Sequence, residues 1–134
     1  MKKVFATLVL VLFAVSAWAS YDGEIWQDKT SGLVYELDDD NSKVRVYQYF
    51  GGAAVTIPEV IKIYNINYTV DEIGEKAFYN KSQLTSVTIQ GNKLTKIGKY
   101  AFGYCTNLVS ITLPSSVYSI GASAFESRSS LNSI

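Results

Sequence analysis

A chain of 134 residues suffices for one modest domain, and twelve Lys or Arg against twelve Asp or Glu leave no formal net charge, which argues against nucleic acid as a partner. It contains no histidine and one cysteine, so imidazole-based catalysis, imidazole metal sites and an internal disulfide are excluded. Nearly half the residues are hydrophobic, enough to build a packed core without covalent staples.

Residues 1–19 read as a cleavable signal peptide. Lys2 and Lys3 precede an apolar run from Val4 to Val15, and Ala17-Trp18-Ala19 supplies the small residues a signal peptidase requires. The alternative is an N-terminal anchor, but about 16 apolar residues fall short of the roughly 20 that span a bilayer, so no membrane span is expected in the mature chain. No cysteine follows the cleavage point, which excludes lipid attachment there, and the short Lys-Lys start looks bacterial. From Ser20 onward the chain carries ten bases and twelve acids. Ten acids and four bases lie in residues 20–72, against two acids and six bases in residues 73–134. The first part is an acidic, solvated cap, and the second is mildly positive.

The cap, residues 20–53, is predicted to be β-structured. Leu33–Leu37 and Val44–Phe50 are rich in Val, Tyr and Leu, and the polar cluster Asp38-Asp39-Asp40-Asn41-Ser42 between them predicts a hairpin turn. Those aspartates lack the glycine and terminal glutamate of a calcium-binding EF-hand loop, so a solvated turn is the better reading. Gly51-Gly52 ends the hairpin. Val55-Thr56-Ile57-Pro58 then matches Ile111-Thr112-Leu113-Pro114 in type and order, which makes residues 54–72 a degenerate first coil, widened by Tyr64 to Tyr68.

Beyond Val70 the chain repeats itself. Ile73-Gly74 and Ala77-Phe78 return as Ile97-Gly98 and Ala101-Phe102, then as Ile120-Gly121 and Ala124-Phe125, with Leu84, Leu108 and Leu131 keeping the same step. Such a period of roughly 20 to 29 residues, with aliphatics in fixed columns, predicts a β-rich leucine-rich-repeat solenoid over residues 54–134 whose coils stabilise one another only by stacking. Alternation within the short strands places Val87, Ile89, Ile111 and Leu113 inside, joined by Leu94 and Val117. The glycines are expected to permit tight corners or close approach of neighbouring coils, and Phe78, Phe102 and Phe125 to stack as an internal aromatic spine. Leu131-Asn-Ser-Ile134 aligns with Leu108-Val-Ser-Ile111, so the sequence stops inside a strand and is expected to be a piece of a longer protein.

The run Ile-Gly-x-x-Ala-Phe-x-x-Cys-x-x-Leu-x-x-Ile-x-Leu-Pro, complete from Ile97 to Pro114, resembles the BspA-like leucine-rich repeats of bacterial and some protozoan surface proteins. The resemblance extends from Ala54 to Ile134 and implies display outside the cell, contact with host or neighbouring-cell proteins, and no enzyme. Two columns depart from the pattern. Lys81 and Arg128 stand where Cys105 does, which requires those side chains to snorkel outward, and Gln90 replaces the proline kept at Pro114.

Candidate sites follow from this frame, and none calls for a cofactor or metal. Cys105, in a repeat column, reads as a small buried hydrophobe rather than a nucleophile. Asn67-Tyr68-Thr69 and Asn80-Lys81-Ser82 are glycosylation sequons in form, relevant only in a eukaryotic host. Ser86, Thr88, Ser110, Thr112 and Ser133 alternate with the buried set and form the expected protein-binding column. The leading expectation is therefore a secreted or cell-surface, adhesin-like module that binds extracellular or surface proteins. The alternatives are a glycan-binding module, with Tyr100 and Tyr104 as contacts, and a non-catalytic segment of a larger secreted enzyme. Tyr79, Tyr100, Tyr104 and Tyr118 lie outside the apolar columns but at different coil positions, so no single tyrosine ladder is expected.

Overall fold

The computed structural model describes residues 23–38 and 41–127. The expected signal peptide, Ser133, Leu131 and Arg128 lie outside the described residues. Three strands open the chain: β1 (Ile25–Asp28), β2 (Leu33–Asp38) and β3 (Lys43–Tyr49), each antiparallel to the one before. The β2–β3 pair is the expected hairpin, and β1 is an addition to it. The solenoid strands are β4 (Ala54–Ile57), β5 (Val60–Ile63), β6 (Ile66–Ile73), β7 (Ser86–Ile89), β8 (Lys96–Ile97), β9 (Ser110–Ile111) and β10 (Ser119–Ile120). Among the described residues there is no α-helix.

The strands form two sheets. One runs β1-β2-β3-β6-β8-β10, with β5 also paired to β6, and the other runs β4-β7-β9. Sheet pairing is antiparallel within the cap but parallel from β3 to β6, β8 and β10, because each solenoid coil returns to the same side travelling in the same direction. The cap thus joins the stack edge to edge, and β3 takes the place of a preceding coil.

The first coil contains an antiparallel hairpin over residues 60–69, β5 onto β6, closed by Tyr64 and Asn65 at φ 50° and 69°, within the segment expected to widen it. Two successive residues at positive φ make the type I′ turn whose twist matches that of the flanking strands. No Asn-Gly pair marked it in the sequence, so the signal was weak.

One hydrophobic core spans cap and coils. The aromatic spine is present, with Phe78 and Phe102 stacked at 4.8 Å and Phe102 and Phe125 at 5.4 Å between ring centroids. Tyr49 of β3 extends it, 5.1 Å from Phe78, so the cap covers the open end of the first ring. Burial raises the Tyr49 phenol pKa, and its hydroxyl donates to the Gly52 carbonyl at 3.0 Å. Ile73, Ile97, Leu84, Leu94 and Leu108 are buried as expected. Ile89, Leu113 and Val117 are only half-buried, and Ile120 is 52% exposed. A column position is buried by the coil stacked on it, so alternation within one coil overstates burial wherever that neighbour does not reach.

The Ile-Gly glycines serve close approach rather than a tight corner. A Cβ at Gly98 would lie 2.6 Å from the Glu75 nitrogen, and one at Gly121 would lie 2.5 Å from the Lys99 nitrogen, both backbone atoms of the preceding coil. Gly98 N–H and Gly121 N–H donate to Ile73 and Ile97 carbonyls at 2.7 Å, distances a side chain in this gap would not permit. On the turn side, alternate amides bridge coils: Lys76, Phe78 and Asn80 donate to the carbonyls of Lys99, Ala101 and Gly103. Cys105 is fully buried there, its thiol donating to the Phe78 carbonyl at 3.0 Å. Lys81, its column equivalent, does snorkel, with Nζ 5.1 Å from the centre of the Phe50 ring. Gln90 uses the amide a proline would lack, donating to Ile57 O at 2.9 Å.

Candidate functional site

The β4-β7-β9 sheet turns Val55, Ile57, Val87 and Ile111 inward, and the alternate positions face solvent. Parallel pairing sets the outward residues in register, Ala54 beside Ser86 beside Ser110, and Thr56 beside Thr88. Thr112 follows just past the end of β9 and continues the second row. Neighbouring strands lie about 4.8 Å apart, so the outward side chains form two short hydroxyl-bearing rows rather than scattered points.

Ser86, Thr88, Ser110 and Thr112 are exposed, as their alternation with Val87, Ile89 and Ile111 predicts. They line a shallow groove of about 410 Å³, bounded at one side by Gly91 and Pro114. Ala54 and Thr56 extend the same rows, a contribution the sequence reading passed over. The signal was available, because the Val-Thr-Ile-Pro match already aligned Thr56 with Thr112. The rows carry no charge, so the face offers hydroxyl hydrogen bonds and van der Waals contact. Polar cross-coil bonds hold the rim, with Asn92 N–H donating to Glu59 Oε2 at 3.0 Å and Asn107 Nδ2 to the Ser82 carbonyl at 2.7 Å.

The opposite sheet carries an alternating row of charges in register: Glu36, Arg45, Glu72 and Lys96. Arg45 donates through Nε and Nη2 to Oε1 of the fully buried Glu36 at 3.1 and 2.8 Å, and its Nη1 lies 3.9 Å from Glu72 Oε2. Burial raises the Glu72 pKa above its ordinary value, with Arg45 and Lys96 acting against it and Asp71 reinforcing it. This row ties cap to coil.

Burial pushes the Cys105 thiol pKa up, against the opposing effect of Lys81, so the thiolate needed for attack is disfavoured. Among the described residues, no three His, Cys, Asp or Glu side chains cluster to hold a metal, and no helix is long and apolar enough to cross a membrane.

The tyrosines form no single ladder, but three of them from different coil positions meet: Tyr79 lies edge-on to Tyr100 at 5.9 Å and to Tyr104 at 5.5 Å. Tyr118 stands apart from this contact set at 73% exposure.

Parallel coils, a fixed Ile-Gly-x-x-Ala-Phe column set and an internal phenylalanine stack define a leucine-rich-repeat solenoid. The sequence of residues 58–134 matches the family described as BspA type leucine rich repeat region, in six copies, and the chain belongs to that family. Among solved structures, a leucine rich cell surface protein of Faecalibacterium prausnitzii A2-165 superposes with a TM-score of 0.72 at 33% identity, covering 83% of this chain and 30% of that one. The leucine rich repeat protein of T. pallidum superposes at 0.69 with 30% identity, covering 81% and 50% respectively. The chain therefore spans half or less of these relatives' own length. The pneumococcal vaccine antigen PcpA, at 22% identity and a TM-score of 0.58, shares the fold. Among curated proteins, none matches the chain's sequence.

Proposed function

We propose that the protein is a secreted or cell-surface, adhesin-like interaction module that binds proteins of a host or neighbouring cell through the outer face of the β4-β7-β9 sheet. The observation that carries this reading is the in-register pair of rows Ala54–Ser86–Ser110 and Thr56–Thr88–Thr112, exposed on a face the core does not use. Solenoids present extended surfaces of this kind to partners. Two further facts support it: the F. prausnitzii relative is described as a cell surface protein, and residues 1–19 have the make-up of an export signal. In this reading residues 20–53 are the cap and residues 54–134 the binding solenoid.

Thr88→Lys combined with Ser110→Lys places two charges diagonally on the face without opposing each other directly in register. Surface binding of wild type and variant to immobilised extracellular-matrix proteins is the assay. The expected result is a loss of about tenfold or more, since an unpaired charge in a desolvated patch is costly, with an unchanged thermal midpoint. Unaltered binding by the folded variant would discard this face as the site.

A further inference from the structure

The turn side of the stack carries an aromatic and cationic cluster that the strand-face reading does not use. We propose that Tyr79, Tyr100 and Tyr104, together with Lys76 and Lys99, form a binding site for acidic glycans, sugars bearing sulfate or carboxylate groups.

Three observations converge on it. The first is placement. Tyr79 of one coil reaches across to Tyr100 and Tyr104 of the next, and Gly103 lies buried against the Tyr79 and Tyr100 rings. A Cβ at Gly103 would sit 3.3 Å from Cδ1 of both Tyr79 and Tyr100, so the glycine lets the two rings lie against the backbone.

The second is cost to the fold. Tyr100 and Tyr104 occupy left-handed backbone at φ 55° and 58°, and the same two positions in the other coils are held by Lys76, Asn80, Ser123 and Ser127 at nearly equal φ. The coil geometry imposes that conformation, which asparagine adopts at lower cost than a bulky aromatic residue. Two tyrosines are therefore held where they oppose stability, and neither enters the core, since Tyr104 is exposed and Tyr100 half-buried. Left-handed backbone held by aromatic side chains outside the core is the kind of strain that clusters at functional surfaces.

The third is charge. Lys76 Nζ lies 5.4 Å from the Tyr79 ring centre and 5.9 Å from that of Tyr100, and Lys99 Nζ lies 5.5 Å from the latter. Glu75 is an exposed acid of the same turns and Glu126, whose Oε1 is buried, is half-buried, so the fully exposed charges there are two ammonium groups and one carboxylate.

The ligand class follows from these groups. Tyrosine faces accept the C–H face of a sugar ring, and ammonium groups pair with sulfate or carboxylate through charge-assisted hydrogen bonds. A neutral sugar would have to displace the lysines from the rings without compensation, whereas an anionic one gives them a new partner. An extended peptide would find little backbone to pair with, because the amides of Lys76, Phe78 and Asn80 already donate to the next coil.

The test uses the purified protein with sulfated glycosaminoglycan oligosaccharides, their desulfated counterparts and acidic peptides, read by calorimetry. Wild type is expected to bind the sulfated oligosaccharides in a salt-dependent manner and the other two probes not at all. Tyr100→Asn with Tyr104→Asn, and separately Lys76→Gln with Lys99→Gln, should each weaken that binding about tenfold or more. The tyrosine variant should melt at or above the wild-type temperature, because asparagine accepts the left-handed backbone. Failure of wild type to bind any sulfated oligosaccharide, equal binding of the desulfated forms or of acidic peptides, or undiminished binding by either folded variant would overturn the proposal. A lowered midpoint for the tyrosine variant would overturn the strain argument. The Thr88→Lys, Ser110→Lys variant should keep its glycan binding, so the two surfaces succeed or fail separately.

Discussion

Phe102→Ala tests the aromatic spine at its centre. Phe102 is fully buried and stacked on both faces, at 4.8 Å and 11° to Phe78 and at 5.4 Å and 7° to Phe125. Truncation removes a ring from between two others that cannot close the gap, since each is fixed by its own coil's backbone bonds to the next. Core Phe→Ala changes cost about 3 to 5 kcal/mol, and loss of both stacked pairs places this one near the upper end. Against a total stability of about 5 to 15 kcal/mol that is a large fraction. With a urea slope of about 1 to 3 kcal/mol per molar, the midpoint should fall by about 2 M. Thr112→Ala, on the exposed row, is the control and should stay within about 0.5 kcal/mol. Phe125→Ala, with one described stacking partner, should fall between them. Denaturation followed by far-ultraviolet circular dichroism gives all three midpoints. Equal, small shifts for Phe102→Ala and Thr112→Ala would refute the claim that stacking across coils holds the solenoid together.

Gly98→Ala should cost about 2 kcal/mol or more, because its Cβ would meet backbone of the preceding coil that cannot move aside, whereas Gly52→Ala, with open space around it, should be neutral or stabilising by up to about 1 kcal/mol. Comparing the two thermal midpoints checks this, and equal effects would remove the close-approach explanation. Glu72 gives a pH prediction: burial holds its folded pKa above the ordinary 4.5, so the folded state binds the proton more tightly and the carboxyl's contribution to stability declines as pH rises through that range. Glu72→Gln should therefore match wild type at acid pH and gain on it towards neutrality in paired thermal melts. A gain that shrinks as pH rises would reverse the sign and show that the attraction of Arg45 and Lys96 outweighs burial.

The repeat columns were legible because each coil's neighbour is a near copy of itself. When a residue stacks on its own equivalent 23 or 24 positions away, the requirements of packing are written directly as period, and Phe78, Phe102, Phe125, Leu84, Leu108 and the Ile-Gly pairs could be placed without coordinates. The hydroxyl rows were legible for the same reason, since strand alternation and the period together fix which face Ser86, Thr88, Ser110 and Thr112 occupy. Other features depend on relations that no period encodes. Tyr49 caps the spine and Arg45 joins Glu36 to Glu72 because β3 pairs in parallel with β6, a register set by how the cap docks. The β5–β6 hairpin rests on two left-handed residues, Tyr64 and Asn65, of which only the asparagine is a usual turn former. Tyr79 meets Tyr100 and Tyr104 only because stacking brings position 79 over the buried Gly103, between the left-handed sites Tyr100, three residues before it, and Tyr104, one residue after it. Like residues in one column are found by counting, but unlike residues from different columns meet only when the coils are wound and stacked in space.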